Sequence, residues 1–276
     1  MKLLDGRTLA AQIRAEVKQE IEARGLTPGL AAILVGDDPA SHLYVSLKEK
    51  ACKEVGIEFH IYKFPANEAA EEIATTIEFL NQDPDIHGMI IQMPLPPQLN
   101  EDELIAKMDP QKDADGFHPE NLRLLKNGTP RIIPGLTAGI IRFLESTETT
   151  LQNKIAAIVS NSPIFAEPLE MTLKTKNVKT MVLSPADNTT KTKLKQADII
   201  IIAIGQANWL KGADIKKDAI LIDVGINKQK NGKVVGDVDA NSVKDKAGFL
   251  TPVPGGLGPV TVAMLLKNTV TLAQLS

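Results

Sequence analysis

The residues best suited to acid/base chemistry are Tyr44 and Lys48, which lie four positions apart. Residues i and i+4 share one face of an α-helix, so the phenol and the amine would project from the same side. Partial burial and polar neighbours can lower the pKa of a lysine, which makes such a pair a candidate for proton transfer. The alternative is a solvated surface pair, which is the commoner role of tyrosine and lysine at this spacing.

Three more polar side chains are predicted beyond the carboxyl ends of strands, where open parallel sheets bind ligands. Gln92 is the one polar residue in the apolar segment 89–93, and Asp113 and Asp115 lie in the polar connection that follows. A buried amide without a partner costs about 1–3 kcal/mol, so Gln92 needs one. Alternatively, Gln92 only caps backbone groups and the aspartates only form turns. Together with the phenol and the amine, these groups would line one pocket.

A loop near the C-terminus is the second candidate for ligand binding. Residues 251–261 hold three prolines and three glycines, with Pro254, Gly255 and Gly256 in succession, ahead of an apolar helical segment. Such a loop is rigid and exposes backbone donors to a ligand at close range. A linker is the alternative, but an apolar linker with so many fixed φ angles is uncommon, which favours a ligand wall.

The elements that position these groups are alternating strands and helices. Gly36 and Pro39 end an apolar run, and Ser41 is predicted to cap the helix that carries the tyrosine and the lysine. The apolar spacing predicts helices at 8–24, 41–56 and 68–81 and strands at 30–35, 57–64 and 88–93. Strands and helices that alternate at these lengths indicate βαβ crossovers and a parallel sheet.

The second half of the chain alternates in the same way. Strands are predicted at 155–159, 180–183, 199–203 and 220–224 and helices at 137–146, 166–175, 190–196 and 260–275. Asn231-Gly232 between two short runs is typical of a two-residue hairpin. The predicted fold class is α/β with two domains, the second a Rossmann-like doubly wound parallel sheet. The predicted domains are residues 1–118 with 260–276, and residues 119–259.

The loop after the first strand of the second unit departs from a dinucleotide fingerprint. A dinucleotide-binding turn normally carries GxGxxG, so that the backbone can approach the pyrophosphate. Here Ser160 and Ala166 add side-chain bulk, and Glu167 places a negative charge near the start of the following helix. The turn therefore predicts weak or altered phosphate binding.

Composition excludes several function classes. The net charge of −3 provides no basic field for nucleic acid or a membrane surface. The single cysteine, Cys52, excludes an internal disulfide and is interpreted as a small buried residue rather than a nucleophile. We find neither an apolar signal core at the N-terminus nor a run of 18 apolar residues, and we predict a soluble cytoplasmic protein without a metal site.

Motifs along nearly the whole chain resemble one family, the bifunctional methylenetetrahydrofolate dehydrogenase/methenyltetrahydrofolate cyclohydrolases. The motifs are Asp37-Asp38-Pro39-Ala40-Ser41 with Tyr44-Val45-Ser46-Leu47-Lys48, Gln92-Met93-Pro94-Leu95-Pro96, Lys112-Asp113-Ala114-Asp115-Gly116-Phe117, Asp223-Val224-Gly225-Ile226-Asn227, Gly236-Asp237-Val238 and the segment 251–261. The Tyr/Lys helix and the Pro-Gly-Gly loop are the most specific of these.

The resemblance implies a tetrahydrofolate substrate bound in a cleft between two α/β domains. Lys48 would be the catalytic lysine, with Tyr44 and Gln92 tuning and positioning it. Asp115 would bond to the pterin ring and share in catalysis, and the loop Pro254-Gly255-Gly256 would line the folate pocket. The implied chemistry is oxidation of 5,10-methylenetetrahydrofolate with NADP, followed by hydrolysis of the methenyl product to 10-formyltetrahydrofolate. It also implies a place in purine, methionine and histidine biosynthesis and a homodimer formed through the second unit.

The implied cofactor site is the part of the chain that departs from the family. Ser160, Asn161, Ser162 and Ile226 would contact the cofactor, but the family pattern Gly-Arg-Ser-x-x-Val-Gly-x-Pro is largely lost at residues 160–168. Either the dinucleotide binds weakly or differently, with NAD or no cofactor in place of NADP, or only the cyclohydrolase step survives. A carboxylate at position 187 would favour NAD by accepting a ribose hydroxyl.

Two rival functions make different sequence predictions. An unrelated dehydrogenase acting on another small substrate would carry an intact glycine fingerprint, which this chain lacks. A non-catalytic folate-binding homologue would have lost Lys48 or Asp115, and both are present. The resemblance therefore favours a folate enzyme whose cyclohydrolase half is the better preserved.

Overall fold

The computed structural model describes residues 1–276 and separates into two compact units. We call Ala11–Gly135 with Val262–Ser276 the three-stranded unit and Met1–Ala10 with Leu136–Thr261 the six-stranded unit. Both are α/β units, and the sheet of the second is Rossmann-like, as the sequence predicted.

The helices and strands follow the predicted alternation. The first part of the chain contains β1 (Lys2–Leu3), α1 (Gly6–Arg24), β2 (Gly29–Val35), α2 (Pro39–Val55), β3 (Glu58–Phe64), α3 (Ala70–Gln82), β4 (Gly88–Ile91), α4 (Glu101–Ile105) and α5 (Pro119–Lys126). The second part contains α6 (Gly135–Ser146), β5 (Ile155–Ser160), α7 (Pro163–Thr175), β6 (Lys179–Leu183), α8 (Thr190–Leu194), β7 (Ile199–Ala203), β8 (Ile220–Asp223), β9 (Asn227–Lys228), β10 (Val234–Val235), α9 (Ala240–Val243), β11 (Phe249–Leu250) and α10 (Leu257–Ala273).

The three-stranded unit is built around β2, which lies between β3 and β4 and is parallel to both. Every residue of β2 is buried, as expected for a continuous apolar run in a parallel sheet. Ala31, Ile33 and Val35 alternate along it and pack with α3 and β4 in one core. The carboxyl ends of β2 and β4 therefore meet at one edge of the sheet, so the residues after these strands come close together.

Helix α2 begins earlier than predicted, and its N-cap is Asp38 rather than Ser41. The Asp38 carboxylate accepts hydrogen bonds from the backbone N–H and the hydroxyl of Ser41, at 2.8 and 2.9 Å. Pro39 follows as the first helical residue, where a missing N–H costs nothing. The prediction was wrong because a short acceptor just before a proline is the stronger helix-start signal. The helix ends at Gly56, which adopts φ +91°.

The six-stranded sheet has the strand order β1-β11-β8-β7-β5-β6, with all neighbours parallel. The chain runs from β5 outward to β6 and then returns to place β7 on the other side of β5. In such sheets the crevice beyond the carboxyl ends of the two strands at the reversal is the usual ligand site. For this unit those strands are β5 and β7.

The compact units differ from the predicted domain bounds, 1–118 with 260–276 and 119–259, mainly at two places. Residues Met1–Ala10 group with the six-stranded unit because β1 pairs with β11 and the Gly6 N–H donates to Gly255 O at 3.0 Å. Residues 119–135 group with the three-stranded unit, where Asn121 donates to Pro110 O at 2.8 Å. The strands β1 and β11 have two residues each, too few to show a periodic pattern.

The predicted hairpin is present as β9 and β10, but its loop is longer than two residues. The Gln229 N–H donates to Lys233 O at 2.8 Å, which leaves residues 230–232 as the loop. Gly232 adopts φ +81° at the end of this loop. A three-residue loop that ends in a left-handed glycine is the next most common hairpin connection, so Asn-Gly specified the turn without fixing its length.

Candidate functional site

The three-stranded unit brings Lys48 and Gln92 into direct contact. The Lys48 Nζ donates a hydrogen bond of 2.9 Å to the Gln92 Oε1. Lys48 is half-buried on α2, which follows β2, and Gln92 follows β4, the neighbour of β2 in the sheet. The prediction that these residues share one pocket edge is supported by this bond, which joins groups 44 positions apart.

The orientation of the Gln92 amide is determined by its own backbone. The Gln92 Nε2 donates to Met93 O at 2.7 Å, so the amide oxygen is the atom left to face the lysine. The Gln92 N–H extends the pairing of β4 with β2 by donating to Ile33 O at 2.8 Å. Gln92 is only 7% exposed, so both ends of its amide are satisfied inside the protein. It therefore presents a fixed acceptor to the amine.

The other two members of the α2 face differ in exposure. Tyr44, one turn before Lys48, is 43% exposed and presents its ring at the surface of this unit. Cys52, one turn after, is fully buried. Burial raises the pKa of the Cys52 thiol to about 12, with the positive charge of Lys48 acting in the opposite direction. A thiol in that state is no nucleophile, in agreement with its interpretation as a core residue.

Asp115 lies close enough to Lys48 for their charges to interact. Burial raises the pKa of the Asp115 carboxyl above its ordinary value, the Lys48 charge lowers it and the Asp113 charge raises it. Asp115 is half-buried, in a turn where Gly116 adopts φ +83°. The turn places a carboxyl that resists ionisation beside an amine, which is an arrangement suited to binding a polar heterocycle and managing a proton.

The Pro-Gly-Gly loop belongs to the six-stranded unit. Gly255 adopts φ +100°, and a methyl group on Gly6 would lie 1.9 Å from Gly256 O, so the N-terminal segment packs directly on this loop. The Val253–Pro254 peptide is cis. The loop is thus fixed by its neighbours in its own unit. Its role in lining a folate pocket stays a prediction.

The turn between β5 and α7 uses its backbone donors internally. The Ser160 Oγ accepts the Ser162 N–H at 3.0 Å, and Pro163, the first residue of α7, has no N–H. Asn161 is exposed, and its Oδ1 accepts from the Ser184 hydroxyl at 3.4 Å. Helix α7 begins three residues earlier than predicted, because proline at the first helical position suits a helix start.

These residues do not fit a pyrophosphate held in the manner of the glycine fingerprint. That mode needs unoccupied backbone N–H groups at the start of the helix and glycines that admit the ligand. Here Ser162 and Pro163 have no N–H to offer, Ser160 and Ala166 bring side chains, and Glu167 lies on the same helix. The predicted contacts of Ser160, Asn161 and Ser162 with a cofactor stay predictions.

Two buried carboxylates, to which sequence reasoning assigned no role, bind the residues on either side of Ile226. Asp223, 3% exposed, accepts backbone N–H bonds from Gly225 and Asp237 at 3.0 Å and from Val238 at 2.9 Å. Ile226 itself is 66% exposed. Burial raises the pKa of Asp223 to about 6, the three backbone donors oppose this shift, and the neighbouring charge of Asp237 adds to it.

Asp237 is the second of these carboxylates and is fully buried. It accepts the backbone N–H groups of residues 204, 205 and 206 at 2.7, 3.2 and 2.8 Å and the Asn227 Nδ2 at 2.9 Å. A methyl group on Gly225 would lie 2.3 Å from its Cγ, and one on Gly236 would lie 1.8 Å from the Asp223 Oδ2. The two glycines were the available signal in the sequence, but they indicate only close packing and not which backbone groups each carboxylate binds.

Position 187, suggested for a ribose hydroxyl, has its carboxylate engaged locally. The Asp187 Oδ1 accepts the backbone N–H and the hydroxyl of Thr189, both at 2.8 Å. These bonds lower the pKa of Asp187, with the charge of Lys193 contributing less.

No group of three or more His, Cys, Asp or Glu side chains is arranged to hold a metal ion. None of the helices combines the length and the apolar composition needed to cross a bilayer.

Two family models match the chain. Residues 4–115 match the tetrahydrofolate dehydrogenase/cyclohydrolase catalytic domain, and residues 134–276 match the tetrahydrofolate dehydrogenase/cyclohydrolase NAD(P)-binding domain. The bifunctional protein FolD of Geotalea daltonii is 43% identical over 276 residues, which cover 99% of each chain. The protein of the same name from Bacillus subtilis is 40% identical and covers 99% of this chain and 97% of its own.

Solved structures give the same result over the whole fold. The bifunctional FolD dehydrogenase/cyclohydrolase of Campylobacter jejuni superposes with a TM-score of 0.96 at 39% identity, covering 100% of this chain and 99% of its own. The Trypanosoma brucei enzyme, solved with NADP and an inhibitor, has a TM-score of 0.91 at 31% identity, covering 98% of this chain and 96% of its own.

Proposed function

The chain belongs to the tetrahydrofolate dehydrogenase/cyclohydrolase family of one-carbon folate metabolism, and from that membership we propose which reactions it performs and how. The proposed reactions are oxidation of 5,10-methylenetetrahydrofolate to the 5,10-methenyl cation and hydrolysis of that cation to 10-formyltetrahydrofolate. The observation that carries the proposal is the 2.9 Å bond from the Lys48 Nζ to the Gln92 Oε1.

The hydrolytic step makes direct use of this bond. Water adds to the electrophilic methenyl carbon, the new C–O bond forms, and the water must lose a proton. The C–N5 bond then breaks as the added hydroxyl loses its proton and becomes the formyl C=O, N5 takes a proton, and the formyl group stays on N10. An amine held in one orientation by Gln92 can orient the attacking water and pass its proton onward. Holding the reacting groups in place is itself a large part of the rate enhancement.

The remaining candidate residues have supporting roles in this proposal. Asp115 binds the pterin ring through a carboxyl whose pKa is raised by burial, so that it can keep a proton to donate. Tyr44, exposed on the α2 face, contacts the substrate and assists Lys48. The loop Pro254-Gly255-Gly256 is proposed to line the folate pocket, an assignment supported by its rigidity and by the family match.

The test of this function is a direct assay of both reactions on the purified protein. With 5,10-methenyltetrahydrofolate, formation of the 10-formyl product should far exceed the rate in buffer. Gln92→Met, which keeps the size of the side chain and removes the acceptor, should lower kcat by about 10–100-fold, as expected for the loss of one positioning contact. Wild-type kcat in this variant would show that the bond does not carry the chemistry.

We propose NADP as the electron acceptor, supported by the Trypanosoma brucei relative, whose structure contains NADP. Oxidation assays with NADP and with NAD at equal concentrations decide between the two.

We also propose a homodimer through the six-stranded unit, supported by β6, an edge strand whose Val182 is 47% exposed. Light scattering on the purified protein tests it, and a monomer mass would reject it. The cytoplasmic location stays a prediction.

A second candidate function is cyclohydrolase activity alone. It is favoured by the turn after β5, where Ser160 occupies the Ser162 N–H and Pro163 has none. It predicts methenyl hydrolysis without oxidation of the methylene substrate and no thermal shift at millimolar NADP or NAD. Oxidation with either dinucleotide rejects this alternative.

A further inference from the structure

Three hydrogen-bonded side chains, the buried Asp113 and Asn121 and the half-buried Arg131, lie behind Asp115 in the three-stranded unit. The Asp113 carboxylate is fully buried and accepts the Gly116 N–H at 2.9 Å through Oδ1. Its Oδ2 accepts the His118 N–H at 2.7 Å and the Asn121 Nδ2 at 2.9 Å. A carboxylate bonded to residues three and five positions ahead spans the turn that contains Asp115 and fixes its course.

Asn121 connects this carboxylate to a cation. Asn121 is 2% exposed, and its Oδ1 accepts from the Arg131 Nη1 at 2.6 Å. The Arg131 Nη1 also donates to Pro110 O at 3.1 Å, and the Asn121 Nδ2 donates to the same oxygen at 2.8 Å. Because the guanidinium holds the amide oxygen, the amide N–H groups must face Asp113. The aspartate is thus paired with the arginine through an intervening amide.

The backbone on the other side of Asp115 is held as firmly. The Met89 N–H donates to Lys112 O at 2.6 Å, and the Ala114 N–H donates to Met89 O at 3.1 Å, which ties this segment to β4. Ala114 O also accepts from the Asn268 Nδ2 of α10 at 3.0 Å. Asp115 therefore lies between a residue pinned to the sheet and a residue pinned by Asp113, so little freedom remains for its Cα.

Asp113 also acts on Asp115 through its charge. After burial, the negative charge of Asp113 is the remaining influence that raises the pKa of Asp115, and Lys48 is the positive charge that lowers it. The charged groups that act on the pKa of Asp115 are thus one acid behind it and one amine beside it. Removing the charge at position 113 should make Asp115 easier to ionise.

We propose that Asp113, held by Asn121 and Arg131, is a positioning residue that fixes the Asp115 carboxyl for the substrate. The inference rests on the proposed function, in which Asp115 binds the pterin. Asp113 itself is buried behind the turn and acts through Asp115.

The experiment compares Asp113→Asn with Asp109→Asn in methenyl hydrolysis across pH. Asp109 is a matched control, since its Oδ1 accepts the Gln111 N–H at 2.8 Å in the same connection. Asp113→Asn should raise KM about tenfold and move the limb of the pH profile that reports Asp115 to lower pH, whereas Asp109→Asn should change neither. A purely structural role would reduce the amount of folded protein without moving the limb.

A milder variant keeps the test decisive if Asp113→Asn does not fold. Asn121→Ala removes one of the three bonds to the carboxylate and the link to Arg131, and should raise KM in the same direction by a smaller factor. Wild-type KM and an unmoved limb in the folded variants overturn the inference. Absence of methenyl hydrolysis by the wild-type protein would instead reject the proposed function, so the two failures are distinguishable.

Discussion

The carboxyl edges of the two sheets use their polar groups in opposite ways. Beyond β2 and β4 of the three-stranded unit, Gln92 and Asp113 are bonded so that Lys48 and Asp115 are held in one position. Beyond β5 and β7 of the six-stranded unit, Ser160 and Asp237 accept the backbone N–H groups that a ligand would need. At the first edge, hydrogen bonds hold the side chains that would contact a ligand. At the second edge, they use up the backbone N–H groups that would contact one.

The difference shows that the position of a polar group in a fold does not establish that it is available to a ligand. Both edges lie where open parallel sheets bind ligands, and both carry buried polar side chains. A donor already bonded inside the protein offers a ligand little, because the ligand must replace a bond that exists. Substitutions at the first edge should therefore change activity, and those at the second should change stability or release a donor.

The largest effect is expected for Lys48→Met. Loss of a general acid/base and positioning group should reduce cyclohydrolase kcat by at least about 10³-fold, near the upper part of the range for such groups. The thermal midpoint should stay close to wild type, because Lys48 is only half-buried and its hydrogen bond to the Gln92 Oε1 joins two side chains without involving the backbone. Lys50→Met, an exposed lysine on the same helix, should retain wild-type kcat and serves as the control. Equal kcat in both variants would show that Lys48 has no part in the reaction.

A stability effect of about 3 kcal/mol is expected for Gly236→Ala at the second edge. The new methyl group would lie 1.8 Å from the Asp223 Oδ2, so the buried carboxylate must move and its backbone donors lose a partner. Gly258→Ala is the control, because nothing lies within 4 Å of that position and its backbone is helical. Urea unfolding should show the loss in the first variant and a change within about 1 kcal/mol in the second.

Much of this molecule was predictable from local sequence patterns, but the hydrogen bonds of the buried carboxylates in the six-stranded unit were not. The runs that became β2, β5 and β7 are continuous apolar segments ended by polar or glycine residues, so their positions and parallel pairing followed. Lys48 and Gln92 could be placed together because both follow adjacent strands. The bonds of Asp223 and Asp237 join residues up to 33 positions apart, and no local pattern predicts such distances.

The pH dependence of stability separates the two edges further. The pKa of Asp223 is raised to about 6 from 3.8, mainly by burial, so the folded state holds its proton to higher pH than the unfolded state. Its contribution to stability is therefore complete below pH 3.8 and is lost as pH rises through 6, by about 3 kcal/mol in total. Other carboxyls with lowered pKa values have the opposite sign, so the wild type must be compared with Asp223→Asn.

Urea unfolding of these two proteins at several pH values between 4 and 7 makes that comparison. The free energy of unfolding of the wild type should fall relative to that of Asp223→Asn as pH rises. Parallel curves of unfolding free energy against pH would show that burial does not raise the pKa of Asp223.

The smallest effect is expected for Ser160→Gly, which would free a backbone N–H at the second edge to bind a ligand. The substitution removes the Oγ that accepts the Ser162 N–H, so this donor becomes available to a phosphate. A hydrogen bond to a charged group contributes about 1.5 kcal/mol or more, which predicts a tenfold lower Kd for NADPH, measured by its fluorescence. Ser146→Gly, a serine outside the turn, should leave the Kd unchanged. If both variants bind NADPH like the wild type, the occupied donor is not what limits this edge, and the bulk at Ala166 or the charge of Glu167 must limit it instead.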